Sequence, residues 1–224
     1  PAVPACGTTA KGKLCAEIFA VIEGEAFILD ADGSLRESLA ARLEKYIVAD
    51  DVVLEDVTDD RALVHLIRCD VEAPEGAHRA HIARFRSEGV DLHFAKTGLE
   101  DFRSRAGDSL LWIDEELLTL IRVEAGVPAW GCELNADSFP AEAGLDQTHV
   151  DFHKGCYIGQ EVISRIESVG RANRSMMGFI STSGVPLTAG ARILKSDALG
   201  QDFGRLTTVA YSFALEAPIA LGYL

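Results

Sequence analysis

Apolar residues dominate two short runs near the start of the chain, Leu14 to Ile22 and Ala26 to Asp30, with Glu23-Gly24-Glu25 between them. Two β-like runs around a glycine-containing turn predict a hairpin. Ser34 stands three residues before Glu37, the spacing of a capping box at a helix start. Leu35, Leu39, Leu43 and Ile47 then recur at helical intervals, which predicts an amphipathic helix over 35–47. Val52, Val53, Leu54 and Val57 predict a further strand. The order β-β-α-β is that of part of a split α+β sandwich.

A comparable pattern follows. Arg61 to Cys69 is rich in Leu, Val and Ile and predicts a strand. Pro74 is placed to open a helix running to about Arg86. Asp91 to Ala95 and Ser109 to Ile113 predict strands. Asp114 caps a helix carrying Leu117, Leu118, Ile121 and Val123, which Gly126 and Pro128 end. The two patterns are similar in kind, without a sequence repeat. Residues 129–152 are rich in Gly, Pro, Asp, Asn and Glu and predict a long irregular segment over the surface or lining a cleft. Turn signals at Ser183-Gly184, Ala189-Gly190 and Leu199-Gly200 then separate short strands, as in a small barrel or sandwich. The expected segments are an α+β lobe over 1–58, a second α+β lobe over 59–170 and a C-terminal β-barrel over 171–224. The opening Pro-Ala-Val-Pro reads as a ragged start and the final Ile219-Ala-Leu-Gly-Tyr-Leu224 as a strand cut in mid-pattern. The expectation is a longer protein, missing part of its N-terminal lobe and truncated in its barrel.

Composition narrows the function classes. The chain has 224 residues, 48% of them hydrophobic, enough to bury a core. Its formal net charge of −14 opposes phosphate backbones and anionic membranes, so direct nucleic-acid binding and membrane attachment are not expected. No apolar run is long enough to span a bilayer. The five cysteines, Cys6, Cys15, Cys69, Cys132 and Cys156, are odd in number and lack Cys-x-x-Cys spacing. That fits reduced thiols in the cytoplasm rather than a disulfide framework or a zinc site.

Reactive side chains concentrate in Lys154-Gly155-Cys156-Tyr157-Ile158-Gly159-Gln160-Glu161. Two glycines allow positive φ and a close backbone approach to a ligand. Lys154, and Arg165 if it folds back, would stabilise a Cys156 thiolate, the reactive form of cysteine. A turn around a buried cysteine has the same composition. Arg165, Arg171 and Arg174 form a local basic cluster, equally readable as a rim for carboxylates or as a solvated strand edge. His78 and His81 have i, i+3 spacing on the expected helix, which is metal-compatible but lacks a third ligand. His149 and His153 flank Asp151 in what reads as an exposed loop. Met176-Met177 read as barrel core.

The run from Lys154 to Glu161 resembles the K-G-C-Y-x-G-Q-E signature of YgfZ-type folate-binding proteins, without a gap. Arg122-Val123-Glu124-Ala125-Gly126 resembles the R-x-E-A-G stretch that these proteins share with glycine-cleavage aminomethyltransferases. Lys11-Gly12-Lys13 is similar to the family's K-G-K. The resemblance implies an aminomethyltransferase-like α+β fold, two α+β lobes plus a C-terminal β-barrel around a folate channel, with tetrahydrofolate as ligand. It implies Cys156 and Lys154 as the reactive residues, and Glu124, Arg122, Tyr157, Gln160, Glu161 and Arg165 as folate-binding residues. A carboxylate such as Glu124 can accept hydrogen bonds from the amino-pyrimidine edge of a pterin. The implied role is support of iron–sulfur cluster assembly or repair in client enzymes, through client or assembly proteins, with an indirect effect on tRNA modification. Two departures matter. Cys15-Ala16 stands where aminomethyltransferases carry an acidic pair, with Glu17 out of step. The aromatic often found before R-x-E-A-G is absent; Leu118 falls near it, with Trp112 as a substitute only if the backbone brings it round. The alternative function is a tetrahydrofolate-dependent aminomethyltransferase of the glycine cleavage type, and a third is a folate-free interaction module.

Overall fold

The computed structural model describes residues 2–170, 172–195 and 201–224. It has an α+β fold with ten strands and four α-helices among the described residues. In chain order these are β1 (Ala2–Thr8), β2 (Leu14–Glu23), β3 (Ala26–Asp30), α1 (Arg36–Glu44), β4 (Arg61–Ile67), β5 (His78–His81), β6 (Gly89–Ala95), α2 (Leu99–Ala106), α3 (Glu115–Ala125), α4 (Gln160–Val169), β7 (Met176–Ile180), β8 (Arg192–Leu194), β9 (Asp202–Ser212) and β10 (Ala217–Tyr223). They form three sheets, ordered β1-β2-β3, β4-β6-β5 and β7-β10-β9-β8. One sheet falls in each expected segment, and the C-terminal one is an open four-stranded antiparallel sheet. Packing groups the chain differently, into one unit of residues 1–3 and 18–113 and another of 4–17 and 114–224. The expected boundaries at 58/59 and 170/171 lie within these units.

In the first unit the hairpin expectation holds. Glu23 pairs with Ala26 across the turn, and Gly24 takes φ 62°. The expected helix over 35–47 is shorter and its cap differs. Asp32, not Ser34, accepts the first backbone N–H, from Ser34 at 2.9 Å. None of the α1 side chains is buried, so the stripe at 39 and 43 is not a core face. Residues 51–57 are irregular rather than a strand, with Val52 and Val53 exposed. Residues 110–113 are likewise not a strand, and α2 was not anticipated.

The helix expected from Pro74 is absent. Its place holds strand β5, paired antiparallel with β6 through His78↔His93 and Ala80↔Asp91. His78 and His81 thus lie on opposite faces of a strand, and no metal-ligating group of three exists among the described residues. The β4-β6-β5 sheet is two-faced. Val64, Leu66, Leu92 and Phe94 pack on Phe102 of α2 as an apolar core. The opposite face carries a buried polar layer. Asp91 accepts from His65 Nδ1 at 2.7 Å and from Arg84, which also binds Asp30. Arg61 makes two 2.8 Å hydrogen bonds to Glu23.

In the second unit the expectation for α3 holds. Asp114 accepts from Leu117 N at 2.9 Å, and Gly126 closes the helix at φ 66°. Val123 packs with Ile219, Leu221 and Met176, whereas Met177 is half-exposed. Residues 129–152 are irregular as expected, yet not superficial. Leu134, Ala143 and Leu145 form a core with Leu14. The opening residues are strand β1 rather than a ragged start. No described helix is long and apolar enough to cross a membrane.

Candidate functional site

Two sequence motifs meet in the second unit through backbone contacts. Gly12 turns at φ 74°, with its N–H donating to Thr9 O at 2.9 Å. Gly159 turns at φ 86° directly against it. A β carbon on Gly159 would lie 3.0 Å from the Gly12 α carbon, and one on Gly12 would lie 3.0 Å from Val162 Cβ. Both glycines are therefore fixed by close approach as well as by φ. Thr8 Oγ1 donates to Ile158 O at 2.6 Å. On the other side of the turn, Lys13 binds Asp137 at 2.7 Å and Leu14 N donates to Ser138 O at 2.9 Å. The Lys11-Gly12-Lys13 turn is the seat on which the Lys154–Glu161 segment rests.

From that seat the signature runs into α4. The N–H groups of Val162 and Ile163 donate to Gly159 O at 3.1 Å, and Ile163 buries its side chain. Cys156 lies in the irregular stretch before the helix and is exposed. Lys154 holds its ammonium 5.2 Å from the Tyr157 ring centroid. The Tyr157 hydroxyl is enclosed without a partner in hydrogen-bonding geometry, beside Ser164, and burial pushes its pKa up. Gln160 is half-buried at the helix start. Glu161 is exposed in the first turn, where a carboxylate suits the helix dipole. Arg165 is exposed one turn beyond Glu161.

The R-x-E-A-G stretch divides its two charged residues between opposite tasks. Arg122 is buried, and its guanidinium is committed to Glu133 at 2.6 Å, to Val127 O at 2.9 Å and to Thr208 Oγ1 at 2.9 Å. Glu133 is itself fully satisfied, accepting also from Ala129 N, Thr207 and Thr208. Arg122 is thus a scaffold residue that ties α3 to β9. Glu124 is exposed, and its Oε1 accepts from the buried Ser212 hydroxyl at 2.5 Å.

The basic cluster is only partly a free rim. Arg174 binds Glu142 at 3.0 Å and stacks 4.4 Å from the Tyr223 ring centroid. Arg171 lies outside the described residues. His149 is not in an exposed loop: its side chain is 9% exposed, with Nε2 3.1 Å from Glu17 Oε1. His153 is exposed, and its N–H donates to Asp151 at 2.8 Å. Trp112 belongs to the first unit, where it packs edge-on to Phe102 under the Arg103 guanidinium. Cys6, read in the sequence only as one of five reduced thiols, is part of the core. It packs on Leu14, Leu134 and Leu145, and burial together with Glu17 and Asp146 pushes its pKa far up against the pull of Lys154.

Two hollows stand out, and neither is lined by Cys156 or Glu124. An apolar notch between Phe139, Pro140, Phe152 and Ile163 has about 10 Å³, room for one water. A groove of about 740 Å³ in the first unit runs past Arg68, Cys69, Arg79, His81 and Glu88.

Comparison with known proteins fits this arrangement of motifs. No protein-family model matches the chain. It is 29% identical over 168 residues to the mitochondrial iron–sulfur cluster assembly factor IBA57 homolog of Mycosarcoma maydis, covering 71% of this chain and 41% of that protein. It is 24% identical over 230 residues to the tRNA-modifying protein YgfZ of Yersinia pestis, covering 92% of this chain and 67% of that one. Its fold matches the glycine cleavage system aminomethyltransferase T of Bartonella henselae with a TM-score of 0.82 at 17% identity, over 100% of this chain and 68% of that one. The chain is thus similar in sequence to YgfZ and IBA57 proteins and has the fold of an aminomethyltransferase. As a YgfZ/GcvT-like chain it spans less than half the length of the fungal assembly factor.

Within this YgfZ/GcvT-like fold, the residues missed from the sequence are Ser212, Glu133 and Thr8. Ser212 meets Glu124, Thr8 meets Ile158 and Glu133 meets Thr207 and Thr208 across long stretches of chain, and no local pattern announces such pairings.

Proposed function

We propose that this YgfZ-like chain binds tetrahydrofolate and supports iron–sulfur cluster assembly or repair in client enzymes, with tRNA modification affected indirectly. The supporting observation is the exposed Cys156 thiol on a loop that the Gly12–Gly159 contact holds in place. The pterin fits Glu124, whose one oxygen is anchored by Ser212 while the other is open to N–H donors. In this proposal Tyr157, Gln160, Glu161 and Arg165 contribute contacts along the ligand, and Arg165 faces its carboxylate tail. Arg122 acts through α3, holding the helix that carries Glu124. Tetrahydrofolate supplies a carrier of one-carbon units. Lys154 keeps positive charge on the signature segment itself. The relatives named for cluster assembly and for tRNA modification motivate the client role, and the five free cysteines suit a cytoplasmic setting.

The test has two arms. Cys156→Ala is expected to keep tetrahydrofolate affinity in calorimetry yet abolish support of iron–sulfur enzymes in cells lacking the protein. Full complementation by that variant removes the thiol from the mechanism. No heat of binding with tetrahydrofolate or its methylene form, using the full-length protein, leaves a folate-free interaction module. The aminomethyltransferase alternative has less in its favour, because Ala16 and Cys15 occupy the acidic positions. Turnover with a lipoyl carrier protein would revive it.

A further inference from the structure

Glu124 stands at the wrong end of its helix. It is the second-last residue of α3, where the unpaired carbonyls make the environment negative and a cation is the stabilising choice. Glu115 and Glu116 occupy the favourable end of the same helix. A carboxylate kept at the C-terminal turn, and exposed there, points to a use other than stability.

Its geometry is held from outside the helix. Ser212, fully buried at the end of β9, has its hydroxyl 2.5 Å from Glu124 Oε1. The same hydroxyl oxygen accepts from Leu215 N at 3.1 Å, in the turn that leads to β10. A serine hydroxyl has one proton to give. With its oxygen receiving the Leu215 N–H, that proton goes to the carboxylate. One oxygen of Glu124 is therefore anchored, and Oε2 has no partner among the described residues.

We infer that Ser212 is the positioning residue that presents Glu124 to the amidine-like N–H edge of a pterin. The inference rests on Glu124 being the pterin acceptor. Ser212 does not touch the ligand. It fixes the rotamer of the carboxylate, so that ordering entropy is lost on folding rather than on binding.

Tetrahydrofolate titrations of the full-length protein test this as a cycle of Ser212→Ala, Ser212→Thr, Glu124→Ala and the Ser212→Ala/Glu124→Ala double variant. Ser212→Ala is expected to weaken binding about tenfold, the weight of one charge-assisted hydrogen bond. Ser212→Thr, which keeps the hydroxyl, restores it. In the Glu124→Ala background, where Ser212 has no carboxylate to hold, its alanine variant costs nothing further. Wild-type affinity in Ser212→Ala, or the same loss in both backgrounds, overturns the inference. A readout without folate separates it from the pterin reading: three-bond couplings of the Glu124 side chain by NMR. They report one rotamer in the wild type and averaging in Ser212→Ala. Unchanged couplings remove Ser212's role. Fixed couplings with no tetrahydrofolate binding by the wild type remove the pterin and leave the positioning.

Discussion

Arg122 and Glu133 form a 2.6 Å ion pair in which neither side chain is more than 9% exposed. Eleven residues separate them, across the end of α3 and a tight turn. Each charge is satisfied beyond the pair, by Val127 O and Thr208 on one side and by Ala129 N and Thr207 on the other. Breaking such a pair from one side leaves an uncompensated buried charge. Arg122→Met is expected to cost about 3–5 kcal/mol in urea unfolding. A loss below about 1 kcal/mol means that the carboxylate finds water or another donor, and that Arg122 is not the scaffold described.

Two glycines of the signature separate cleanly. Gly159→Ala puts a methyl group into the backbone of Thr9 and Gly12 at a φ of 86°. The expected cost is about 2 kcal/mol or more, from strain and overpacking together. Gly155 has nothing within 4 Å of its would-be β carbon and no positive φ. Gly155→Ala is therefore expected to stay within about 0.5 kcal/mol of the wild type. Equal denaturation midpoints for the two variants would show that the Gly12–Gly159 contact is not close-packed.

Acid should loosen the first unit in stages. Burial lowers the pKa of His93, and its Nε2 has no partner, so the folded chain keeps this imidazole neutral. The unfolded chain takes up the proton near pH 6.5. Stability from this group is complete above that pH and declines as pH falls from there toward the lower folded value. Burial alone would raise Asp91, but hydrogen bonds from His65 and Arg84 and their charges outweigh it and lower its pKa. Glu23 is lowered as well, first by its hydrogen bonds from Arg61. These carboxylates stabilise above about pH 4 and lose that contribution below it. Urea midpoints between pH 7.5 and 5 should drop more for the wild type than for His93→Gln. Parallel curves for the two proteins would refute the assignment to His93.

Thiol reactivity should rank by exposure and charge. Cys132 and Cys156 are exposed. Cys6 is packed on leucines with Glu17 and Asp146 nearby, which disfavours its thiolate. Iodoacetamide labelling followed by peptide mass spectrometry should find Cys132 and Cys156 modified first and Cys6 last. Early modification of Cys6 in the folded protein would contradict its packing.

Much of the site was legible in the chain because its parts are contiguous. The capped helix α3 with its terminal Gly126 and the Glu23-Gly24-Glu25 hairpin turn are local events, and each was anticipated where it occurs. The Lys154–Glu161 run carried the resemblance to YgfZ-type proteins in eight consecutive positions. Where an element depends on a distant partner, local pattern misled. Pro74 and the spacing after it suggested a helix, but β6 offers a strand edge, and Ala80 is fully buried in the resulting pair with Asp91. Val52 and Val53 have the composition of a strand and no sheet to join.

The sequence by itself determined the α+β character and the resemblance of the Lys154–Glu161 segment to YgfZ-type proteins, since motifs, caps and turns act within a few residues of chain. Tertiary structure alone decided what those residues face. It turned Arg122 inward onto Glu133, left Glu124 outside under the hand of Ser212, and set Gly12 beneath Gly159. Those choices come from close packing and from the need to satisfy every buried charge, and both are settled between segments that lie far apart along the chain.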